Sequence, residues 1–181
     1  MILSAKNGAM LKVLITGPES SGKTQLSQYL ARQFQGPWVP EFARTYLNAL
    51  DRPYQEEDLL HILNGQLRKQ GQQDESTIVF CDTGPEVIFV WSAVKYGRVD
   101  AYIEKQVREV HFDLRLLCYP DLPWEPDPLR EAPDDAVRLQ LYDAYAALMD
   151  RFGFSYTVIQ GEREQREKTA LAAVRKLVES K

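Results

Sequence analysis

Short apolar runs alternate with amphipathic stretches along most of this chain. Each apolar run is too short for a helix and is typical of a buried parallel strand. These runs occupy residues 11–16, 38–40, 77–81, 114–118 and 156–160. Between them, apolar residues at helical spacing predict helices over residues 23–35, 42–50, 56–70, 85–96, 100–110, 134–152 and 162–180. Because strands alternate with helices and no tight hairpin joins two strands, we expect an α/β fold with a parallel five-stranded sheet covered by helices on both faces.

The remaining stretches predict connections. Residues 1–10 carry little pattern and are expected to be a frayed lead-in, and residues 71–75 are expected to form a polar turn. Residues 119–133 contain five prolines, which favours an ordered loop over a strand or helix. With 181 residues and no low-complexity linker, the chain is expected to form one domain.

The segment between the first strand and the first helix, GPESSGKT at residues 17–24, matches the phosphate-binding pattern G-x-x-x-x-G-K-[ST]. Its glycines let backbone N–H groups converge on phosphate oxygens, and the following helix directs its positive end to the same place. Lys23 supplies a point charge for the outer phosphates, and the Thr24 hydroxyl is suited to Mg²⁺. The sequence therefore predicts a P-loop NTPase-type fold that binds ATP and Mg²⁺. The expected nucleotide-binding residues are Gly17, Glu19, Ser20, Ser21, Gly22, Lys23, Thr24 and Gln25.

Ligands of a parallel sheet bind beyond the carboxyl ends of its strands, and two acidic residues lie at such ends. Asp82 is predicted to hold Mg²⁺ opposite Thr24, although an Asp at a strand end can also simply cap the next turn. Glu41 could accept the proton of an acceptor hydroxyl or hold a ribose diol. The alternative for Glu41 is a solvated carboxylate that favours a helix N-terminus. Arg44, one turn later, could pair with Glu41 or contact phosphate.

The proline-rich segment 119–133 is interpreted as a lid. It carries Trp124, Asp127 and Arg130, and Arg138 follows just beyond it. Phosphoryl transfer spreads negative charge over the transferred group, so arginines on a closing loop would stabilise that charge while the loop excludes water. The alternative is that segment 119–133 is a surface loop without a function in the site.

Two tryptophans are candidates for stacking on a flat ring of a substrate. Trp91 lies in the predicted helix 85–96 and Trp124 in the lid, although a tryptophan in a helical stripe is equally typical of a core. His61 and His111 lack a nucleophile or metal partner in the pattern, so both are expected to be structural.

Composition narrows the classes of function. A net charge of −4 and a pI near 5.3 argue against a nucleic-acid-binding surface. No apolar run approaches the roughly 20 residues of a membrane span, and no signal-peptide pattern precedes the first strand. We therefore expect a cytoplasmic protein without membrane insertion. Cys81 and Cys118 each end an apolar run and are expected to be buried, reduced thiols.

Four segments together resemble the ribosylnicotinamide kinase domain of NadR-type proteins. They are GPESSGKT at 17–24, VPEFAR at 39–44, FCDT at 80–83 with Trp91-Ser92 nearby, and PDLPWEPDPLR at 120–130. With Arg138 and Gln160-Gly161 included, the similarity spans residues 11–166. The P-loop is shared by many families, whereas the combination of the Asp-x-Pro-Trp lid with Glu-Phe-Ala-Arg is specific.

The resemblance implies an ATP- and Mg²⁺-dependent kinase that phosphorylates the ribose 5′-hydroxyl of nicotinamide riboside, a small-molecule substrate, and forms nicotinamide mononucleotide. The catalytic residues would be Lys23, Glu41, Asp82 and Arg130. The metal would be held by Thr24 and Asp82, and the lid would add Arg138 to the nucleotide site. The substrate side would comprise Glu41, Arg44, Trp91, Trp124 and Asp127. A homo-oligomer is compatible with the sequence.

Some positions depart from the family pattern on the substrate side. The lid has Pro128 where the family usually has Gly, and Gly84 and Ile88-Phe89 stand where the family tends to have Asp and a Thr pair. These departures leave the acceptor open, so another nucleoside or a small metabolite is the first alternative. A nucleotide-dependent regulatory ATPase that acts on a protein partner is the second.

Longer family members also carry adenylyltransferase and DNA-binding segments. Those segments have no counterpart in this sequence, and neither histidine lies in an adenylyltransferase motif. The expected reaction therefore stops at the mononucleotide.

Overall fold

The computed structural model describes residues 10–72 and 77–181. Most of the predicted lead-in and part of the predicted turn fall on residues 1–9 and 73–76, which lie outside the described residues. Within the described ranges the strands are β1 (Leu11–Thr16), β2 (Trp38–Val39), β3 (Ile78–Asp82), β4 (Leu114–Cys118) and β5 (Thr157–Ile159). The helices are α1 (Lys23–Phe34), α2 (Phe42–Asn48), α3 (Glu56–Gly71), α4 (Pro85–Tyr96), α5 (Ala101–Glu109), α6 (Asp135–Phe152) and α7 (Arg163–Glu179).

The strands form one parallel sheet in the order β2-β3-β1-β4-β5. This confirms the predicted α/β class and its five parallel strands. The central strand β1 pairs with β3 on one side and β4 on the other. Because Ile15 stands opposite Asp82 in this register, the end of β3 lies directly beside the P-loop that follows β1.

Apolar side chains cover the sheet on both faces, as a parallel sheet requires. Alternate residues of β1 serve the two faces: Val13 and Ile15 join the cluster beneath α1 and α7, and Leu14 packs on the other face with Phe112. The cluster that α2 to α6 share contains Leu59, Phe89, Leu117, Tyr145 and Met149. Two packed layers of helices therefore hold the strand ends in fixed positions.

The start of α6 and the state of the two cysteines each follow from their local surroundings. Asp134 caps α6 by accepting from the amide of Ala136 at 2.7 Å. Cys81 and Cys118 are buried and free, and burial raises the pKa of each thiol to about 12. Both cysteines therefore stay protonated and pack as small apolar residues.

Candidate active site

The P-loop has a backbone that requires glycine at its two fixed positions. Gly17 has φ +133°, and a Cβ at this position would lie 2.6 Å from the carbonyl oxygen of Cys118. Gly22 has φ +77°, and its Cβ would lie 2.9 Å from Leu122 Cδ1 in the lid. Helix α1 begins directly after the loop, so its positive N-terminal end faces the space that the loop encloses. This is the geometry that an anion-binding loop needs.

Side chains of the P-loop also bond within the loop. The carbonyl oxygen of Pro18 accepts from Ser21 Oγ at 2.7 Å and from Lys23 Nζ at 2.6 Å. The Lys23 ammonium group therefore lies over the loop. Gln25 points outward from the first turn of α1 and is exposed.

Arg166 of α7 holds three segments around the P-loop together. Its guanidinium is buried and donates to the carbonyl oxygens of Ser21 at 2.9 Å, Gly161 at 2.7 Å and Tyr119 at 2.8 Å, and it also pairs with Asp121. The sequence alone does not reveal this role, because Arg166 is one of many charged residues in a polar helix.

Thr24 and Asp82 are brought together as the sequence predicts. Thr24 Oγ1 donates to Asp82 Oδ2 at 2.6 Å, and Asp82 is 1% exposed. Burial raises the pKa of Asp82 to about 6. The hydrogen bond from Thr24 lowers this pKa, and the negative charge of Glu41 raises it. The positive charges of Lys23 and Arg44 lower it. These effects show that all five groups share one electrostatic environment.

The Asp82 carboxylate has the properties of a cation ligand. Its second oxygen, Oδ1, is buried and has no hydrogen-bond partner among the residues that the structure describes. An unsatisfied buried carboxylate oxygen beside a threonine hydroxyl fits Mg²⁺, which prefers oxygen ligands. Within residues 10–72 and 77–181, no group of three or more His, Cys, Asp or Glu side chains could hold a metal on its own. The cation would therefore depend on phosphate oxygens and water for its other ligands.

Glu41 stands at the end of β2, at the N-cap position of α2. Its side chain does not cap the helix, and no hydrogen bond or ion pair to it is present in the described part of the chain. Its charge raises the pKa values of Asp82 and of buried Tyr145, so it lies near both. The Arg44 side chain donates to Asp127 Oδ2 in the lid at 2.8 Å.

The lid segment folds back onto the P-loop. Glu19, expected to contact nucleotide, instead directs its carboxylate to the lid, where it accepts from Trp124 Nε1 at 3.0 Å and from the amides of Glu131 at 2.9 Å and Ala132 at 2.8 Å. Trp124 therefore lies against the nucleotide loop. Ser20 Oγ accepts from the amide of Glu125 at a longer distance of 3.5 Å.

The two lid arginines bind lid backbone. Arg130 donates to the carbonyl oxygen of Glu125. Arg138 is 2% exposed, donates to the carbonyl oxygen of Leu122 at 3.0 Å and pairs with Asp135. The structure thus places both guanidinium groups in the framework of the lid, and neither is directed at the P-loop.

Trp91 lies in a polar cluster that includes Glu131 of the lid. Its indole donates to the Tyr54 hydroxyl at 2.9 Å, and the two rings meet edge to face with centroids 4.9 Å apart. The Tyr54 hydroxyl also donates to Glu131 at 3.1 Å, and Lys95 pairs with Glu131 at 3.0 Å. Trp91 and Trp124 therefore occupy different surroundings. The sequence does not indicate a role for Tyr54, because this residue lies in the irregular stretch before α3.

Both histidines contact residues outside the groups described above. His61 stacks on Tyr46 with ring centroids 6.2 Å apart, and His111 Nε2 lies 3.5 Å from Asp113 Oδ1 on the surface.

Within the described ranges, no helix is long and apolar enough to cross a bilayer.

A phosphate-binding loop after the central strand, a buried aspartate on the adjacent strand and a loop folded over both define a P-loop nucleotide-binding protein. Residues 12–166 match the model of an AAA domain family, AAA_28, and the chain belongs to that family.

Individual proteins are similar over most of this chain. It is 22% identical over 156 residues to the trifunctional NAD biosynthesis/regulator protein NadR of Escherichia coli (strain K12), a match that covers 83% of this chain and 38% of that protein. The crystal structure of NadR protein in complex with NR has a TM-score of 0.78 at 23% identity, over 95% of this chain and 52% of the other. Thymidylate kinase from Ehrlichia chaffeensis has a TM-score of 0.64 at 15% identity, over 94% of this chain and 100% of the other. The chain thus spans about half or less of the NadR chains, whereas its match to the thymidylate kinase covers the whole of that chain.

Proposed function

We propose that this protein transfers the γ-phosphoryl group of ATP to the ribose 5′-hydroxyl of nicotinamide riboside and forms nicotinamide mononucleotide. The observation that carries this proposal is the arrangement of the Thr24–Asp82 pair and the unpaired Glu41 carboxylate around one P-loop beneath the lid. A P-loop alone supports nucleotide binding, and a free carboxylate beside it adds a group for an acceptor hydroxyl. The similarity to NadR supports the riboside as the acceptor.

On the nucleotide side, the protein would act by position and charge. The loop amides and the N-terminus of α1 would bind the phosphates, and Lys23 would leave the Pro18 carbonyl to contact the outer phosphates. Thr24 and Asp82 would hold Mg²⁺, which neutralises phosphate charge when bound. Trp124 and its lid neighbours would keep water away from the transferred group.

On the acceptor side, Glu41 is better suited than Asp82 to face the 5′-hydroxyl. Asp82 is buried and already bonded to Thr24, whereas the Glu41 carboxylate is partly exposed and unpaired within the described residues. We assign to Glu41 the orientation of the hydroxyl and the acceptance of its proton. Trp91, which is partly exposed beside Tyr54, offers a ring face to nicotinamide, and Arg44 with Asp127 would border the ribose.

The direct test is formation of the mononucleotide. Purified protein is incubated with Mg-ATP and nicotinamide riboside, and the product is separated by chromatography. The Lys23→Ala variant gives the background, and Lys168→Ala, an exposed lysine of α7, is the matched control. Product from the wild type and from Lys168→Ala, above the Lys23→Ala background, is expected. No product above that background would remove the proposal.

A kinase for another nucleoside is the second candidate, and the substitutions at Gly84, Ile88-Phe89 and Pro128 motivate it. Ile88 and Phe89 are 3% and 7% exposed in the core, so their side chains pack within the helix layer. A Cβ at Gly84 would lie 2.7 Å from Glu86 Oε2, so close packing explains the glycine at this position. Pro128 is the remaining departure, and it is an exposed lid residue next to Asp127, which pairs with Arg44. A panel of nucleoside acceptors followed by ADP release separates the two candidates.

A further inference from the structure

The Glu19 carboxylate connects the P-loop to the lid. Its three donors, Trp124 Nε1 and the amides of Glu131 and Ala132, lie 105 to 113 positions away in sequence and 2.8 to 3.0 Å away in space. Hydrogen bonds to an ionised acceptor are stronger than bonds between neutral groups. One side chain of the nucleotide loop therefore accepts three hydrogen bonds from the segment 124–132 of the lid.

The lid residues between these donors form an internally bonded turn. Asp127 Oδ1 accepts from the amide of Leu129 at 2.9 Å, and the Asp127 carbonyl oxygen accepts from the amide of Arg130 at 3.0 Å. The Arg130 guanidinium donates to the Glu125 carbonyl oxygen. Segment 124–132 is thus bonded internally, and both of its ends are bound by the same carboxylate.

The contacts of this segment on the acceptor side are more exposed. Arg44, which pairs with Asp127, has a side chain 49% exposed, and Glu131, which pairs with Lys95, is 60% exposed. Exposed ion pairs of this kind hold a loop weakly, because water screens them and long side chains lose entropy. Among the contacts of segment 124–132, those to Glu19 therefore provide the strongest anchor.

The charge of Glu19 argues against a role as a phosphate ligand. A carboxylate repels a polyphosphate, and the lid donors occupy both of its oxygens. We infer that Glu19 is a positioning residue, which holds segment 124–132 over the P-loop so that the lid excludes water during transfer. The catalytic part of this inference rests on the proposed kinase function; the attachment of the lid does not.

The attachment is tested without any substrate in Glu19→Ala, Glu19→Gln and the control Glu164→Gln, an exposed glutamate of α7. Trypsin cleavage after Arg130 is followed by mass spectrometry, and Trp124 emission is obtained by subtracting the spectrum of Trp124→Phe. Cleavage should be at least about tenfold faster in Glu19→Ala, because hydrogen bonds to a charged group are lost. It should be intermediate in Glu19→Gln, whose amide keeps one acceptor oxygen, and unchanged in the control. Trp124 emission should shift to longer wavelength in the same order.

The kinetic readout separates positioning from nucleotide binding. Glu19→Ala should lower kcat about tenfold or more, leave KM for ATP within about twofold, and raise the share of ATP hydrolysed without acceptor. Wild-type rates of cleavage and unshifted emission in Glu19→Ala would overturn the inference, as would a raised KM for ATP with unchanged kcat. If the wild type phosphorylates no riboside, the proposed function fails, and cleavage and emission still decide whether Glu19 anchors the lid.

Discussion

The two sides of the candidate active site are built from different parts of the chain. The nucleotide side consists of eight consecutive residues, 17–24, whose backbone and following helix supply most of the binding groups. The acceptor side consists of side chains from distant segments, such as Arg44 with Asp127, 83 positions apart, and Tyr54 with Glu131, 77 positions apart. The first side is a local structure, and the second exists only when the whole chain is folded.

This difference has a consequence for substrate choice. A backbone site tolerates many side chains but requires its glycines, as the 2.6 Å approach of a Cβ at Gly17 to Cys118 illustrates. A site made of side chains changes with single substitutions and can accept new acceptors while the phosphate donor stays the same. Loss of the nucleotide side is therefore expected to have a larger effect on the rate than loss of any one acceptor-side group.

Lys23→Ala is expected to have the largest effect. Removal of the point charge should lower kcat/KM by about 10² to 10³-fold, because phosphoryl transfer depends on charge stabilisation. The fold should be unaffected, since the ammonium group contacts only the Pro18 carbonyl in the described structure. Initial rates and the melting midpoint are the measurements, with Lys168→Ala as the control. A variant that keeps its rate would show that the loop does not serve catalysis.

Glu41→Gln tests the acceptor side with a smaller expected loss. Turnover should fall by about 10²-fold if the carboxylate accepts the hydroxyl proton, and KM for ATP should change little. Glu57→Gln removes an exposed glutamate from the first turn of α3 and is the matched control. Equal kcat values for the two variants would make Glu41 a bystander.

Asp82→Asn should weaken Mg²⁺ binding and raise the free energy of unfolding of the metal-free protein. Burial raises the pKa of Asp82 to about 6 from 3.8, so the ionised group destabilises the metal-free fold at neutral pH. The variant should therefore gain up to about 3 kcal/mol in free energy of unfolding at pH 7, measured with urea in EDTA. It should also need more than about tenfold higher Mg²⁺ for half-maximal rate, because a carboxylate ligand is lost.

The pH dependence checks the cause of that gain. A raised native pKa stabilises the fold at low pH, and this contribution is lost as pH rises through the native value. The wild type and Asp82→Asn should therefore have the same free energy of unfolding below pH 3.8, diverge between 3.8 and about 6, and keep a constant difference above that. A difference that persists at the lowest pH would point to packing.

Sequence could predict those parts of the site that follow from local pattern. The spacing in residues 17–24 and the rule for strand ends predict that Thr24 and Asp82 lie together, and the structure has them 2.6 Å apart. The contacts of Glu19 and Arg166 could not be predicted, because they depend on how the proline-rich lid and the charged helix α7 pack against the P-loop in the folded chain. The placement of Trp91 also needed the fold, since its indole partner Tyr54 belongs to an irregular segment.

Tyr54→Phe is expected to have the smallest effect and to locate the acceptor ring. The substitution keeps the ring beside Trp91 and removes the hydroxyl shared by Trp91, Lys95 and Glu131. Loss of such a hydrogen bond should raise KM for the acceptor by about two- to tenfold, while kcat and KM for ATP stay within about twofold. Tyr102→Phe is the matched control, because it also removes a tyrosine hydroxyl bond, to Asn64 at 2.8 Å on the surface. If both variants give the same KM for the acceptor, the Tyr54–Trp91 pair does not border the acceptor, and the difference between the two sides of the site must come from other side chains.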